Sequence, residues 1–194
     1  MRESIQMPNA QRHEGVSAAT VFHAACAVVL SRQFQQREVV LGRLVTGRSM
    51  LPSNLQNVVG PCMTEVPIRL NIDANDTLSS VALQLQNQFI EDSTHEASGM
   101  VEIIKNCTDW PDHARDFGWR TAFQQEEDAG LIFLSSPSNI SFYKSNLLPR
   151  TRPEIYATPR EGKWDLEFEG NRRLIGEDTV REFLARLQTV LREF

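Results

Sequence analysis

The run Val39-Val40-Leu41-Gly42-Arg43-Leu44-Val45 constrains this chain more than any other stretch. It is short, almost continuously apolar and rich in β-branched residues, the pattern of a strand buried within a sheet. It follows a segment, Ser17 to Gln35, in which Val21, Ala24, Ala25, Val28 and Val29 recur at helical spacing. Ser17 is a fitting N-cap for that helix. The alanines on its stripe let it lie close against a sheet. Gly42 inside the strand signals the close approach of another backbone or of a ligand.

Beyond this pair, helical and strand patterns alternate, which predicts an α/β lobe with helices layered on a sheet. Thr46-Gly47-Arg48 ends the strand in a turn, and a loop runs through Pro52 and Asn54 to Val58-Val59-Gly60-Pro61-Cys62-Met63-Thr64. Val66 to Leu70 reads as a second strand, irregular or at an edge because of Pro67. Asn75-Asp76-Thr77 offers caps for a helix with Leu78, Val81, Leu85 and Phe89 on one face. A shorter helix after Ser98 turns Met100, Ile103 and Ile104 inward. Strands are predicted at Arg120–Gln125, Leu131–Leu134 and Ile140–Tyr143, with a linker bracketed by Pro149 and Pro153. Trp164-Asp165-Leu166-Glu167-Phe168-Glu169 alternates as a half-buried strand. A last helix from Glu177 carries Val180, Phe183, Leu184, Leu187, Val190 and Leu191 inward, with Glu177 and Asp178 suited to its N-terminal dipole.

The 194 residues suit one domain or one large lobe, and a 41% hydrophobic content supports a sizeable core. A net charge of -5 argues against nucleic acid or an anionic membrane surface as partner. No window approaches the roughly 18 apolar residues of a membrane span, and the polar start lacks a signal peptide's apolar region. The three cysteines, Cys26, Cys62 and Cys107, have no metal spacing and read as free thiols in a reducing, cytoplasmic setting.

No self-contained catalytic set emerges. The four histidines, His13, His23, His95 and His113, pair with neither one another nor a cysteine at ligand spacing, which excludes a metal site. His23 reads as a packing or surface residue within the first helix, and His13 and His113 as solvated. His95, beside Glu96, is the one histidine weighed for substrate contact. No serine stands in a G-x-S-x-G elbow, and no glycine pattern forms a phosphate loop. Cys107 reads as a half-buried, inert thiol, and Glu126-Glu127-Asp128 as a solvated loop.

Three blocks of sequence carry a resemblance. Gly15-Val16-Ser17-Ala18-Ala19-Thr20 opens the first helix, and Val39 to Arg48 gives the strand and its turn. Val59-Gly60-Pro61-Cys62-Met63-Thr64-Glu65-Val66-Pro67-Ile68-Arg69 follows. These resemble the second half of condensation domains of nonribosomal peptide synthetases, with the patterns G-V-T/S-x-A-T, D-V-V-x-G-x-x-V-S-G-R and V-G-P-x-x-N-x-x-P-x-R. Asn106-Cys107-Thr108-Asp109-Trp110, Phe123-Gln124-Gln125 and Trp164-Asp165-Leu166-Glu167 are similar to fungal synthetases, including terminal, product-releasing domains that cyclise a peptide. Thr64 departs from the family's Asn; its hydroxyl is shorter and offers fewer hydrogen bonds.

The resemblance implies a chloramphenicol-acetyltransferase-like lobe with a mixed sheet and helices packed on it. It makes residues 1–194 one C-terminal subdomain, with the catalytic H-H-x-x-x-D-G motif in an N-terminal lobe that this chain lacks. It implies no catalytic residue and no metal here. It does imply a wall and floor for a substrate tunnel at Gly42, Thr46, Gly47, Arg48, Gly60, Pro61, Cys62, Met63, Thr64 and Gln124. Gly42 and Gly60 are expected to admit a pantetheine arm, and Arg48 to meet a phosphate or an acid. The implied partners are the N-terminal lobe and a peptidyl carrier domain, which presents substrates on its phosphopantetheine arm; no cofactor is bound directly. An epimerisation-domain lobe, a stand-alone acyltransferase lobe and a carrier-docking module remain as alternatives.

Overall fold

The structure, a computed structural model, describes residues 1–6, 15–48, 51–111, 114, 116–124, 131–133, 136–138 and 151–194, with the backbone alone at 131–133 and 136–138. The predicted strand at Ile140–Tyr143, His13, His113, Pro149 and Glu126 to Asp128 lie outside the described residues. Eight strands occur among those described: β1 (Arg2–Gln6), β2 (Glu38–Val45), β3 (Thr64–Asn71), β4 (Arg120–Phe123), β5 (Leu131–Phe133), β6 (Ser136–Ser138), β7 (Glu154–Arg160) and β8 (Lys163–Glu169). Four helices accompany them: α1 (Ala18–Phe34), α2 (Leu78–Asp92), α3 (Met100–Cys107) and α4 (Glu177–Glu193).

Six strands form one mixed sheet in the order β1-β8-β7-β4-β2-β3, while β5 and β6 pair separately. Short β4 is the joint of the sheet. It runs parallel to β2 on one side, through Gly42↔Arg120 and Arg43↔Thr121, and parallel to β7 on the other. The antiparallel pairs β2–β3 and β7–β8 flank it. This is the predicted α/β lobe.

The helix α1 begins and ends where its caps dictate. Ser17 accepts from the Thr20 amide, and Gln35 closes the helix in the left-handed region. Its surroundings differ from the predicted stripe. Thr20 through Leu30 are all buried, because α1 lies on β2 and β4 and is flanked by α2 and α4. Ala24, Ala25 and Ala27 are wholly buried, so small side chains face neighbours on several sides. Leu41, Ile68, Ile155, Ala157 and Leu166 line the helix-facing side of the sheet, against Phe183, Leu184, Leu187 and Leu191 of α4. Trp164 is fully buried there, edge-on to Phe22 and Phe123.

Other elements depart from the sequence reading in instructive ways. β3 is an edge strand, as Pro67 foretold. β1 was read only as a polar start; Ile5 is its one buried residue, opposite Trp164. β7 begins directly after the segment that Pro149 and Pro153 bracket, a strand that no sequence pattern predicts. Its Pro159 lies beyond Ala157, the last residue paired with β4, so the missing amide leaves no bond unmade on that side. On the face of β2 away from the helices, Val40 is half-buried and Gly42 is buried.

Truncating Leu187, fully buried in α4, is expected to cost about 2–5 kcal/mol of unfolding free energy in urea titration. Truncating Leu174, which is 65% exposed, is expected to shift it by less than about 0.5 kcal/mol.

Candidate functional site: the β2–β3 loop and the ion-pair row beneath it

Val45 pairs with Thr64, so the chain between them is one long excursion from the end of the β2–β3 hairpin. Thr46, Gly47 and Arg48 leave β2 there, and Gly60, Pro61, Cys62, Met63 and Thr64 return. Gln124 is exposed and leaves β4, parallel to β2, at the same end of the sheet, its amide donating to the Ala157 carbonyl at 2.8 Å. Nine of the ten expected residues therefore gather at one end of the sheet, and Gly42 lies inside β2 below them.

Each glycine has a distinct reason. Gly47 adopts φ 64°, and a Cβ there would lie 2.1 Å from the Cys62 carbonyl oxygen. Only glycine lets the two ends of the loop touch in this way. Gly60 has φ 154°, is exposed and has open space above it. Gly42 is filled differently from the expectation. A Cβ there would sit 1.9 Å from a Glu65 carboxylate oxygen, so what approaches this glycine is Glu65, not a ligand.

No carboxylate pairs with Arg48 among the described residues. One terminal nitrogen donates to the Gln56 carbonyl at 2.9 Å and to the Val58 carbonyl at 2.8 Å. The loop surface beyond it is apolar and bare: Val59 is 99% exposed and Met63 67%.

Under the loop, the sheet face opposite the helices carries a polar row unforeseen from the sequence. Glu65 on β3 is buried over Gly42 and takes a two-pronged ion pair from Arg152, one prong at 2.9 Å. Arg120 on β4 reaches Glu65 at 3.9 Å and pairs with Glu154 on β7. Tyr156 donates to Glu154, and burial, then that hydrogen bond, pushes its hydroxyl up to about 12. Arg152 lies 87 residues from Glu65, and nothing in the local pattern of either marks the pair. The one available sign was a carboxylate at Glu65 beside the family block.

The two described histidines sit in contrasting settings. His23 is 2% exposed in the core, packed edge-on against Phe89. Its Nδ1 lies 2.9 Å from the Thr121 hydroxyl, which donates its own hydrogen to the Gly42 carbonyl. That leaves the hydroxyl oxygen to accept, which assigns the proton to Nδ1. Burial, then the Arg43 charge, lowers its pKa to about 3, so it stays neutral near pH 7. His95 is exposed, on the wall of a cleft of about 840 Å³ along β3 that Trp110 and Phe117 also line. Burial pushes the Cys26 thiol up, as for an inert core residue. Cys107 is exposed rather than half-buried, at the end of α3. Among the described residues no group of His, Cys, Asp and Glu is placed to hold a metal, and no helix is long and apolar enough to cross a membrane.

Two consequences can be measured. His23 has a folded pKa below its ordinary 6.5, so unfolded chain binds the proton first as pH falls. Stability is therefore expected to drop between pH 6.5 and about 3, by up to about 1.4 kcal/mol per unit. His23→Gln is expected to flatten that slope in urea titrations across this range. Gly42→Ala is expected to cost about 1–3 kcal/mol by overpacking. In a Glu65→Ala background the added cost should fall below about 0.5 kcal/mol, and an unchanged cost would show that Glu65 is not the obstacle.

Comparison with known proteins adds a consistent picture. The Condensation domain family model matches residues 3–194. The nonribosomal peptide synthetase ungA' of Aspergillus campestris is 35% identical over 180 residues, 90% of this chain and 2% of that protein. The bassianolide nonribosomal cyclodepsipeptide synthetase of Beauveria bassiana is 41% identical over 123 residues, 63% of this chain and 4% of that one. Among solved structures, SeMet-CT superposes with a TM-score of 0.88 at 22% identity, covering all of this chain and 44% of its own. The first condensation domain of the CDA synthetase gives 0.72 at 19%, covering 99% of this chain and 45% of its own. The chain thus spans a few per cent of the synthetases and under half of the solved domains it matches.

Proposed function

This chain belongs to the condensation domain family, and we propose that it forms the C-terminal half of such a domain, one wall and the floor of its reaction tunnel. The carrying observation is the share covered. Essentially the whole chain superposes on 45% of a solved condensation domain, and its 194 residues contain no H-H-x-x-x-D-G. On this reading Thr46, Gly47, Arg48, Gly60, Pro61, Cys62, Met63, Thr64 and Gln124 border the tunnel. Gly42 acts from below, by seating Glu65.

The reaction is attack of an amine on a thioester carried by the pantetheine arm of a peptidyl carrier domain. The C–N bond forms, the C–S bond breaks and the pantetheine thiol leaves. The amine's proton passes to a base on the other half. Aligning two tethered reactants contributes roughly 7–11 kcal/mol, so a wall without acid or base still accelerates the step. Similarity to a fungal cyclodepsipeptide synthetase supports a releasing, ring-closing version of this chemistry. Bare Val58, Val59 and Met63 are suited to contact the N-terminal lobe or the substrate arm.

The test is reconstitution. This chain is mixed with a separately expressed polypeptide bearing the H-H-x-x-x-D-G half and a thioester-loaded carrier, and product is followed by mass spectrometry. Amide is expected only when both halves are present. Turnover by this chain alone, or equal turnover by the other half without it, would overturn the proposal.

A further inference from the structure

We infer that Arg48 is a positioning residue, which shapes the β2–β3 loop from within and so sets the tunnel floor; this rests on the reading of that loop given above. The loop has little apolar packing to fix its form. Leu55, Val58, Val59 and Met63 are exposed by 46%, 43%, 99% and 67%. Among the described residues its backbone bonds are local: Leu51 to Arg48, Leu55 to Pro52 and Val58 to Leu55. What gathers the turn is one charged donor that reaches two carbonyls, Gln56 and Val58, at 2.9 and 2.8 Å.

A second contact aims this donor. Gly47, immediately before Arg48, holds φ 64° with its Cα against the Cys62 carbonyl. The two legs of the loop therefore meet at Gly47–Cys62, and Arg48 enters the space between them. Among the described residues no carboxylate competes with these two carbonyls for the Arg48 guanidinium, and hydrogen bonds from a guanidinium are stronger than neutral ones. The bonded carbonyls flank Asn57, directly before the bare Val59–Gly60 apex. Freeing Arg48 would release that apex and leave the β2–β3 ladder in place.

The experiment uses the whole condensation domain, with wild-type, Arg48→Ala and Arg48→Lys forms. Amide hydrogen exchange is read across residues 51–64, with kcat and KM for a carrier-bound thioester. Arg48→Ala is expected to speed exchange at residues 55–60 by roughly tenfold, the loss of about one charge-assisted hydrogen bond at a half-buried site. Exchange in β2 and β3 should not change. Arg48→Lys keeps a charged donor and should recover part of the protection, and it carries the test should the alanine form fail to fold. Unchanged exchange at 55–60 would overturn the brace. Faster exchange with kcat and KM both unchanged would leave the brace standing and remove the loop from the tunnel floor.

Discussion

The carboxylate of Glu65, buried over Gly42, is the contact on which the sheet face beneath the loop depends. A buried charge is costly unless its partners surround it. Arg152 pairs with it from the segment leading into β7, and Arg120 approaches it from β4. Arg120 then hands the arrangement on to Glu154 and Tyr156. Four strands thus meet in one polar row, and each must hold its register for the row to close. A slip of one residue in β3 would move Glu65 to the helix side of the sheet, into an apolar core. Losing one partner would leave an uncompensated charge, at a cost of about 3–5 kcal/mol.

The same geometry accounts for the place of His23 in the core. His23 serves the fold: through Thr121 it ties α1 to the Gly42 carbonyl on the other side of the sheet backbone. Gly42 is therefore held from both faces, by Glu65 on one and by the Thr121–His23 pair on the other. Above it, the loop exposes Val59 and Met63 near its apex, while Arg48 binds backbone at its root.

Where local chemistry decided the structure, the sequence was legible. Ser17 as N-cap, the apolar run of β2, the edge position of Pro67, the alternation of β8 and the stripe of α4 all stand as read. What escaped was decided at long range. β1 has a single buried residue, Ile5, so no periodicity announces it. The outward face of β7 carries Glu154 and Tyr156, polar residues whose partners include Arg120 on β4. α1 shows a stripe in sequence but is enclosed on all sides, because Thr20 and His23 find partners in Gln86 and Thr121. At the candidate site, the family-like blocks point to the loop that leaves β2 and returns to β3. The roles of Gly42 and Arg48 needed the structure, since both are set by atoms distant in sequence or hidden in the loop.

The most direct measurement is a contact map of the substrate arm. A carrier domain whose pantetheine arm ends in a photoreactive diazirine is irradiated with the whole condensation domain, and labelled peptides are identified by mass spectrometry. The account predicts labels on residues 58–64 and around Thr46, at the loop end of the sheet. Labels confined to the cleft along β3, near Trp110 and Phe117, would contradict it.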